Sequence, residues 1–343
     1  MLQIGHPDNL SKEKDQQKRA REVTVRVQPR ESSVSSSGWS GTERCDAPPS
    51  KDASTFLGKP VVVAPGGEKL IVKDESGMDI ELVPTGTSSI PHFPKTIHLP
   101  HPTNNADTSE YTLLGLGIRS VSFLSIQVYV VGLYVRTASL PALQSTLVHR
   151  VNPTATALIP SEKADLRTAL LDPDASYQLW DAVLADPAAT KVDTALRVVP
   201  TRSTDFNHLR DGWVTGIKAR TAAAQKAGDA SFADESFAES MRGFQAALAG
   251  RGSAPKGSVI VLRRKEQGEL EMLFQKREKV EGRGVGGEWE GLGTVEDERV
   301  ARLLWLGYLG GKKVSSEGVR KAVVEGCMEL VERPTGTLAT RVE

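Results

Sequence analysis

Apolar residues recur along this chain at two spacings, and the change from one to the other outlines its elements. From Lys59 the runs are short and β-branched, Pro60-Val61-Val62-Val63 and Leu70-Ile71-Val72, followed by Ile80-Glu81-Leu82-Val83, where apolar and polar positions alternate as in a half-buried strand. A longer run from Leu113 to Val135 predicts a β-hairpin turning near Phe123-Leu124-Ser125, although no Gly, Asn or Pro marks that turn. Between Leu140 and Leu184 the spacing becomes helical, with Leu140, Leu143 and Leu147 on one segment, Tyr177, Trp180 and Leu184 on another, and Asp172-Pro173-Asp174 as a turn signal between them. Ala195 to Val199 reads as a strand. Ser203 or Thr204 is placed to cap a helix beginning at Asp205, with Phe206, Leu209, Trp213 and Ile217 on one face. Phe232, Phe237, Met241, Phe244 and Leu248 mark a further helix, stopped by Gly250 and Gly252. Val259 to Leu262 and Leu270 to Phe274 form a second hairpin around Lys265-Glu266-Gln267-Gly268, Gly282 to Gly287 is a loop, and two helices close the chain through Val300, Leu303, Leu304 and through Val319, Val323, Cys327, Leu330. Strands flanking a helical block predict an α+β fold, one large antiparallel sheet with helices layered on one face.

Composition narrows the function classes. Lysine plus arginine, 43, equals aspartate plus glutamate, 43, so no net field attracts a polyanion, and no basic stripe carries interleaved aromatics; nucleic acid is not an expected partner. The two cysteines, Cys45 and Cys327, are too few and too scattered for a disulfide framework or a zinc site. The longest apolar stretch, Val128 to Val135, falls well short of the ~20 residues of a membrane-spanning helix. Residues 1–58 mix charge signs at Lys12-Glu13-Lys14-Asp15 and turn to low complexity at Ser32-Ser33-Val34-Ser35-Ser36-Ser37-Gly38, which predicts a disordered N-terminal tail ahead of a domain over 59–333, with 334–343 as a C-terminal tail.

The segment Gly115-Leu116-Gly117-Ile118-Arg119, running on to Tyr134-Val135, sets one guanidinium in the most β-prone part of the chain. A buried charge is expensive unless paired, so Arg119 is either half of a structural ion pair or the anchor of an anionic ligand. If the turn lies near Leu124, Arg119 and Tyr129 are equidistant from it and fall opposite each other, with Cβ atoms about 4.5–5.5 Å apart, both able to reach one anion. On an unbroken strand they would stand roughly 33 Å apart.

The same segment, a Gly-x-Arg followed by a strand ending Gly-hydrophobic-Tyr, resembles the Arg-bearing hairpin of the chalcone isomerase superfamily. Leu196-Arg197-Val198-Val199-Pro200 before a helix, Ser258-Val259-Ile260-Val261-Leu262 before a second strand, and Val314-Ser315-Ser316-Glu317 opening the last helix follow in the family's order, over roughly Lys59 to Arg333. Through Val83-Pro84-Thr85-Gly86-Thr87-Ser88-Ser89-Ile90-Pro91-His92-Phe93-Pro94 the chain is similar to the fungal "altered inheritance of mitochondria" branch. The resemblance implies the chalcone isomerase fold, an open-faced sandwich with a ligand cleft between sheet and helices. It also implies a mitochondrial location. The N-terminus, carrying Asp8, Glu13, Asp15 and Glu22, has no recognisable presequence, so a cytoplasmic location stands as the alternative.

Family enzymes hold a substrate phenolate with the Arg and organise the enone with a Thr, a Tyr and an Asn. At the matching positions this chain has Tyr129, Phe206 and Trp213, so of that set only Arg119 remains. Phe206 cannot polarise a carbonyl, and losing an oriented donor at a developing oxyanion lowers the rate ~10²- to 10³-fold. An Arg facing a Tyr across one hairpin is instead similar to the carboxylate clamp of the superfamily's fatty-acid-binding branch, with Phe206 and Trp213 suited to an apolar ligand body. Phe206 and Trp213 are equally accounted for as core of an amphipathic helix.

The expected function is therefore non-catalytic binding of an amphipathic carboxylate, a fatty acid, or heme through its propionate; no cofactor is required. Arg119, Tyr129, Phe206 and Trp213 form the ligand site, and Arg119 and Tyr129 would be catalytic only in the alternative, an intramolecular lyase of the chalcone isomerase type acting on a phenolic enone. A ligand-free interaction protein is the third reading. The fungal branch's association with heme makes His92, His98, His101, His149 and His208 candidate iron ligands, although none has the spacing of a covalent heme motif or a paired metal site. Gly115-Leu116-Gly117 and Gly284, Gly286, Gly287 lack the helix and the Lys-Ser/Thr of a phosphate loop and read as backbone punctuation.

Overall fold

The computed structural model describes residues 55–335, apart from residues 57 and 333 and the segments 65–68, 74–76, 101–107, 122–123, 187–190 and 277–287. The described residues belong to one compact unit, residues 51–343. The tail expected over 1–58 lies outside them up to residue 54, as do the Gly282–Gly287 loop and the end of the chain from residue 336; Thr55–Phe56 already pairs as a strand with Lys59–Pro60.

In chain order the strands are β1 Thr55–Phe56, β2 Lys59–Pro60, β3 Val62–Val63, β4 Leu70–Lys73, β5 Asp79–Pro84, β6 His92–Pro94, β7 Thr96–Pro100, β8 Thr108–Val121, β9 Ile126–Arg136, β10 Thr194–Pro200, β11 Thr204–Asp205, β12 Ser253–Ala254, β13 Val259–Arg264, β14 Leu270–Gln275 and β15 Glu290–Val295. The helices are α1 Leu140–Val151, α2 Pro160–Leu171, α3 Pro173–Leu184, α4 Phe206–Lys226, α5 Glu235–Leu248, α6 Glu298–Leu309 and α7 Glu317–Val331. A seven-stranded antiparallel sheet runs β15-β14-β13-β10-β9-β8-β7, and a four-stranded sheet runs β3-β4-β5-β6.

Alternation along the central strands sends Val131, Leu133, Leu196, Val198, Ile260 and Leu262 to one face, where they pack with Phe244, Trp305, Leu306 and Val323 from the helices in the main core. Val130, Tyr134, Ala195, Val199 and Val261 point the other way into a smaller core with Ile90, Phe93 and Leu99. The helices are on one face, as expected of an α+β sandwich. The far face is covered as well, by β6 and the segment leading into it, a layer that short β-branched runs do not announce.

Three local readings differ from the structure. Asp205, not Ser203 or Thr204, caps α4, its carboxylate accepting from the Asn207 amide at 2.7 Å. Asp172 is the N-cap of α3, accepting from Asp174 and Ala175, and directly before it stands α2, a helix whose exposed, polar surface hid its period. β15, with two glycines among its six residues, lacks the β-branched composition that marks a strand and pairs with β14 through a bulge.

The deepest charges are not at Arg119. Arg263 and Asp193, both fully buried, pair at 3.0 Å, with the Tyr111 hydroxyl donating to Asp193 at 2.8 Å. Arg264 donates to the Leu184 carbonyl at 2.6 Å, tying β13 to the end of α3. The terminal nitrogens of both arginines find oxygen within the fold, which offsets much of the cost of burying them.

Candidate functional site

The hairpin pairs Arg119 with Tyr129. Its turn is tighter than the symmetric count, since Val121 pairs with Ile126 and Ser120 with Gln127; one extra residue at Val128 then bulges β9 and restores the 119–129 register. Ser125 adopts a left-handed backbone with φ 50°, doing without glycine what the turn demands. Gly115, Gly117 and Arg119 share the helix-facing side of β8, and the two glycines are there for proximity. A Cβ on Gly117 would sit 2.5 Å from the Val319 amide nitrogen, one on Gly115 would overlap the backbone of Ala322 and Val323, and one on Gly326 of α7 would overlap the Leu114 carbonyl. Strand and helix touch backbone to backbone.

That contact delivers the N-terminus of α7 to Arg119. Ser316 accepts from the Val319 amide as N-cap and donates to the Ile118 carbonyl at 2.8 Å, and Arg119 Nη1 donates to the Ser315 carbonyl. Arg119 is only partly buried, so it does not carry the burden of a fully buried charge, and the rest of its fork has no partner among the described residues. The helix dipole adds its positive end at the same place.

Beside Arg119 lies a buried polar chain. Trp213 Nε1 on α4 donates to the Tyr308 hydroxyl on α6 at 2.9 Å, and that hydroxyl bonds the Tyr129 hydroxyl at 2.7 Å. Burial pushes both phenols up, Tyr308 well above its ordinary value, while the Arg119 charge pulls in the opposite direction. Both are therefore protonated donors at neutral pH. Three N–H or O–H hydrogens meet two hydroxyl oxygens, so whichever way the tyrosines orient, one O–H hydrogen has no acceptor among the described residues.

Of the residues singled out in the sequence, Arg119, Tyr129 and Trp213 thus come together. Phe206 packs edge-on against Phe274, ring centroids 5.1 Å apart, as buried core. The cavity beside this cluster, lined among the described residues by Trp213, Gly216, Gly307, Tyr308 and Ser315, measures about 10 Å³, room for about one water. Sequence reasoning missed Tyr308, although it continues the stripe Val300, Leu303, Leu304 by one further turn and brings a hydroxyl into it. Ser315 contributes only a carbonyl, and nothing in its identity could have shown that.

The histidines do not join this cluster. His98, His149 and His208 are exposed, His92 lies among residues of the far face, and His101 is outside the described residues. None of the described histidines is hydrogen-bonded to Arg119, Tyr129, Tyr308 or Trp213.

Comparison with known proteins agrees with the fold. The sequence matches the family described as chalcone isomerase like over residues 109–324. It is 32% identical over 243 residues to the Altered inheritance of mitochondria protein 18, mitochondrial, of Debaryomyces hansenii, covering 71% of this chain and 74% of that one. With the Saccharomyces cerevisiae protein of the same name it shares 26% identity over 256 residues, 71% of each. The crystal structure of an Arabidopsis thaliana fatty-acid binding protein superimposes with a TM-score of 0.50 at 17% identity, over 74% of this chain and all of that one. The family match over residues 109–324, which takes in the hairpin and the strands and helices that follow it, and the shared 32% identity across most of the Debaryomyces hansenii relative carry one conclusion: the chain belongs to the chalcone isomerase-like family, in its fungal mitochondrial branch.

Proposed function

We propose that the Arg119 cluster binds the carboxylate of an amphipathic acid, a fatty acid being the class it suits, and does not turn it over. The carrying observation is the missing acceptor: a buried Trp213–Tyr308–Tyr129 chain has one hydroxyl hydrogen to spare beside a guanidinium with unused donors. A carboxylate supplies acceptors for both, and charge-assisted bonds from Arg are the stronger kind. The apolar body would run between α4 and α6, where Gly212, Gly216 and Gly307 keep the helix faces bare; with about 10 Å³ available, the helices must part to admit it. The fatty-acid binding neighbour supports the reading by fold.

Isomerase chemistry has less support. Phe206 offers no hydroxyl, and the two phenols, held protonated by burial, can donate to an oxyanion but cannot act as bases. Heme through Arg119 is not part of the proposal, since no described histidine is hydrogen-bonded into the cluster.

The test is native mass spectrometry and an absorption spectrum of the protein purified from cells, alongside Arg119→Ala and followed by titration with palmitate and with hexadecanol. A co-purifying acid lost from the variant, and palmitate affinity at least tenfold above that of the alcohol, are expected. Equal palmitate affinity in Arg119→Ala, or chalcone turnover by the unmutated protein, would overturn the proposal.

A further inference from the structure

A second site lies across the sheet from the Arg119 cluster. Arg197 is central in β10, on the far face with Ala195 and Val199, and its guanidinium carbon stands 4.4 Å from the centre of the Phe93 ring. Its Nη1 is buried and has no hydrogen-bond partner among the described residues; neither has the buried Nδ1 of His92 on β6. Both residues line one cavity of about 90 Å³, where about 10–15 Å³ already admits a water. Thr55, Phe56, Ser89, Ile90, Pro91, Val199 and Gly257 complete the wall, and no aspartate or glutamate is among them.

Arg197 is partly buried as a residue, with its Nη1 buried, and it contrasts with the two fully buried arginines. Arg263 meets Asp193 and Arg264 donates to the Leu184 and Val192 carbonyls, so both forks find oxygen, although Arg264 Nε has no partner among the described residues. At Arg197 the fold supplies an aromatic face and a void. Burial pulls the guanidinium down from its usual value with no carboxylate to offset it, yet an arginine remains charged. A buried donor without an acceptor is destabilising until water or a ligand supplies one, and this cavity has room for either.

We infer that the cavity between β6 and β10 binds the carboxylate of a small acid with a short apolar body, Arg197 Nη1 and His92 Nδ1 donating to its oxygens. Phe56, Ile90, Pro91 and Val199 suit the body of such an acid. A phosphate would ask for more donors than these two groups and the hydroxyls of Thr55 and Ser89 present. The site is independent of the Arg119 reading, being on the opposite face and built from other residues.

The experiment uses the full chain carrying Arg119→Ala, which removes the first cluster, and titrates it calorimetrically with butyrate at constant ionic strength, with inorganic phosphate and chloride as comparators. Saturable butyrate binding is expected, weakened at least tenfold by adding Arg197→Met and several-fold by adding His92→Phe, with phosphate weaker than butyrate. Without ligand, Arg197→Met should melt at or above the temperature of its parent, because methionine still covers Phe93 and one unpaired buried donor fewer is left. Should Arg197→Met fold poorly, the parent protein still decides: butyrate should slow phenylglyoxal modification of Arg197, mapped by peptide mass. Absence of saturable binding, binding indifferent to Arg197→Met, no protection of Arg197, or phosphate bound as tightly as butyrate would each overturn the assignment.

Discussion

Tyr308→Phe tests the polar chain at its centre. The Tyr308 hydroxyl is the acceptor for Trp213 Nε1 at 2.9 Å and the partner of the Tyr129 hydroxyl at 2.7 Å, and all three side chains are buried. Removing its oxygen leaves Trp213 and Tyr129 as two donors in an apolar core, and each buried, unpaired donor costs about 1–3 kcal/mol. Tyr129→Phe is milder. It deletes one hydrogen bond, about 0.5–1.5 kcal/mol, and leaves the count of spare hydrogens at one, as before. Tyr308→Phe should therefore be the more destabilising by about 1–3 kcal/mol, read as a lower urea midpoint at unchanged m-value in far-UV circular dichroism. The double variant keeps only the Trp213 donor unpaired, so its loss should be smaller than the sum of the two singles. Equal losses for the single variants, or strict additivity, would mean that the hydroxyls are not bonded as described and would remove the missing acceptor on which carboxylate binding rests.

Two further outcomes follow from the packing and the charges. Gly326→Ala should destabilise by about 1–2 kcal/mol, overlap with the Leu114 carbonyl outweighing alanine's helix preference, while Gly212→Ala, with no atom within 4 Å of its new methyl, should stabilise by about 0.5–1 kcal/mol; thermal melts of the pair compare the two directly. Asp234 caps α5 and meets Arg299, whose hydrogen bond with it, reinforced by the Phe237 amide, holds its carboxyl down at about 2. Because the folded value lies below the unfolded one, its contribution is whole above pH ~4 and disappears as pH falls through about 2; Asp234→Asn should flatten that part of the acid limb of stability and leave the region above pH 5 parallel to the parent.

Local spacing carried much of this protein. The period of two in Leu113 to Val135, the apolar stripes of α4 to α7 and the Gly-x-Gly-x-Arg order of β8 were legible because neighbours along the chain set which face a side chain takes. So was the 119–129 pairing, since a hairpin's register depends on its turn, although the bulge at Val128 that completes it leaves no mark in composition. α2 and β15 were not legible, the one too polar and the other too rich in glycine to show a period. What only the tertiary structure decided concerns partners far apart in sequence. Whether Arg119 is buried, what it touches, and that Tyr308 joins Tyr129 and Trp213 depend on α7 and α6 closing over β8 and β9. The fate of Arg197 depends likewise on the N-terminal strands covering the far face. Sequence period chooses a side chain's direction through local backbone geometry, whereas a hydrogen-bond partner is chosen by which backbones pack closely enough to bring it there.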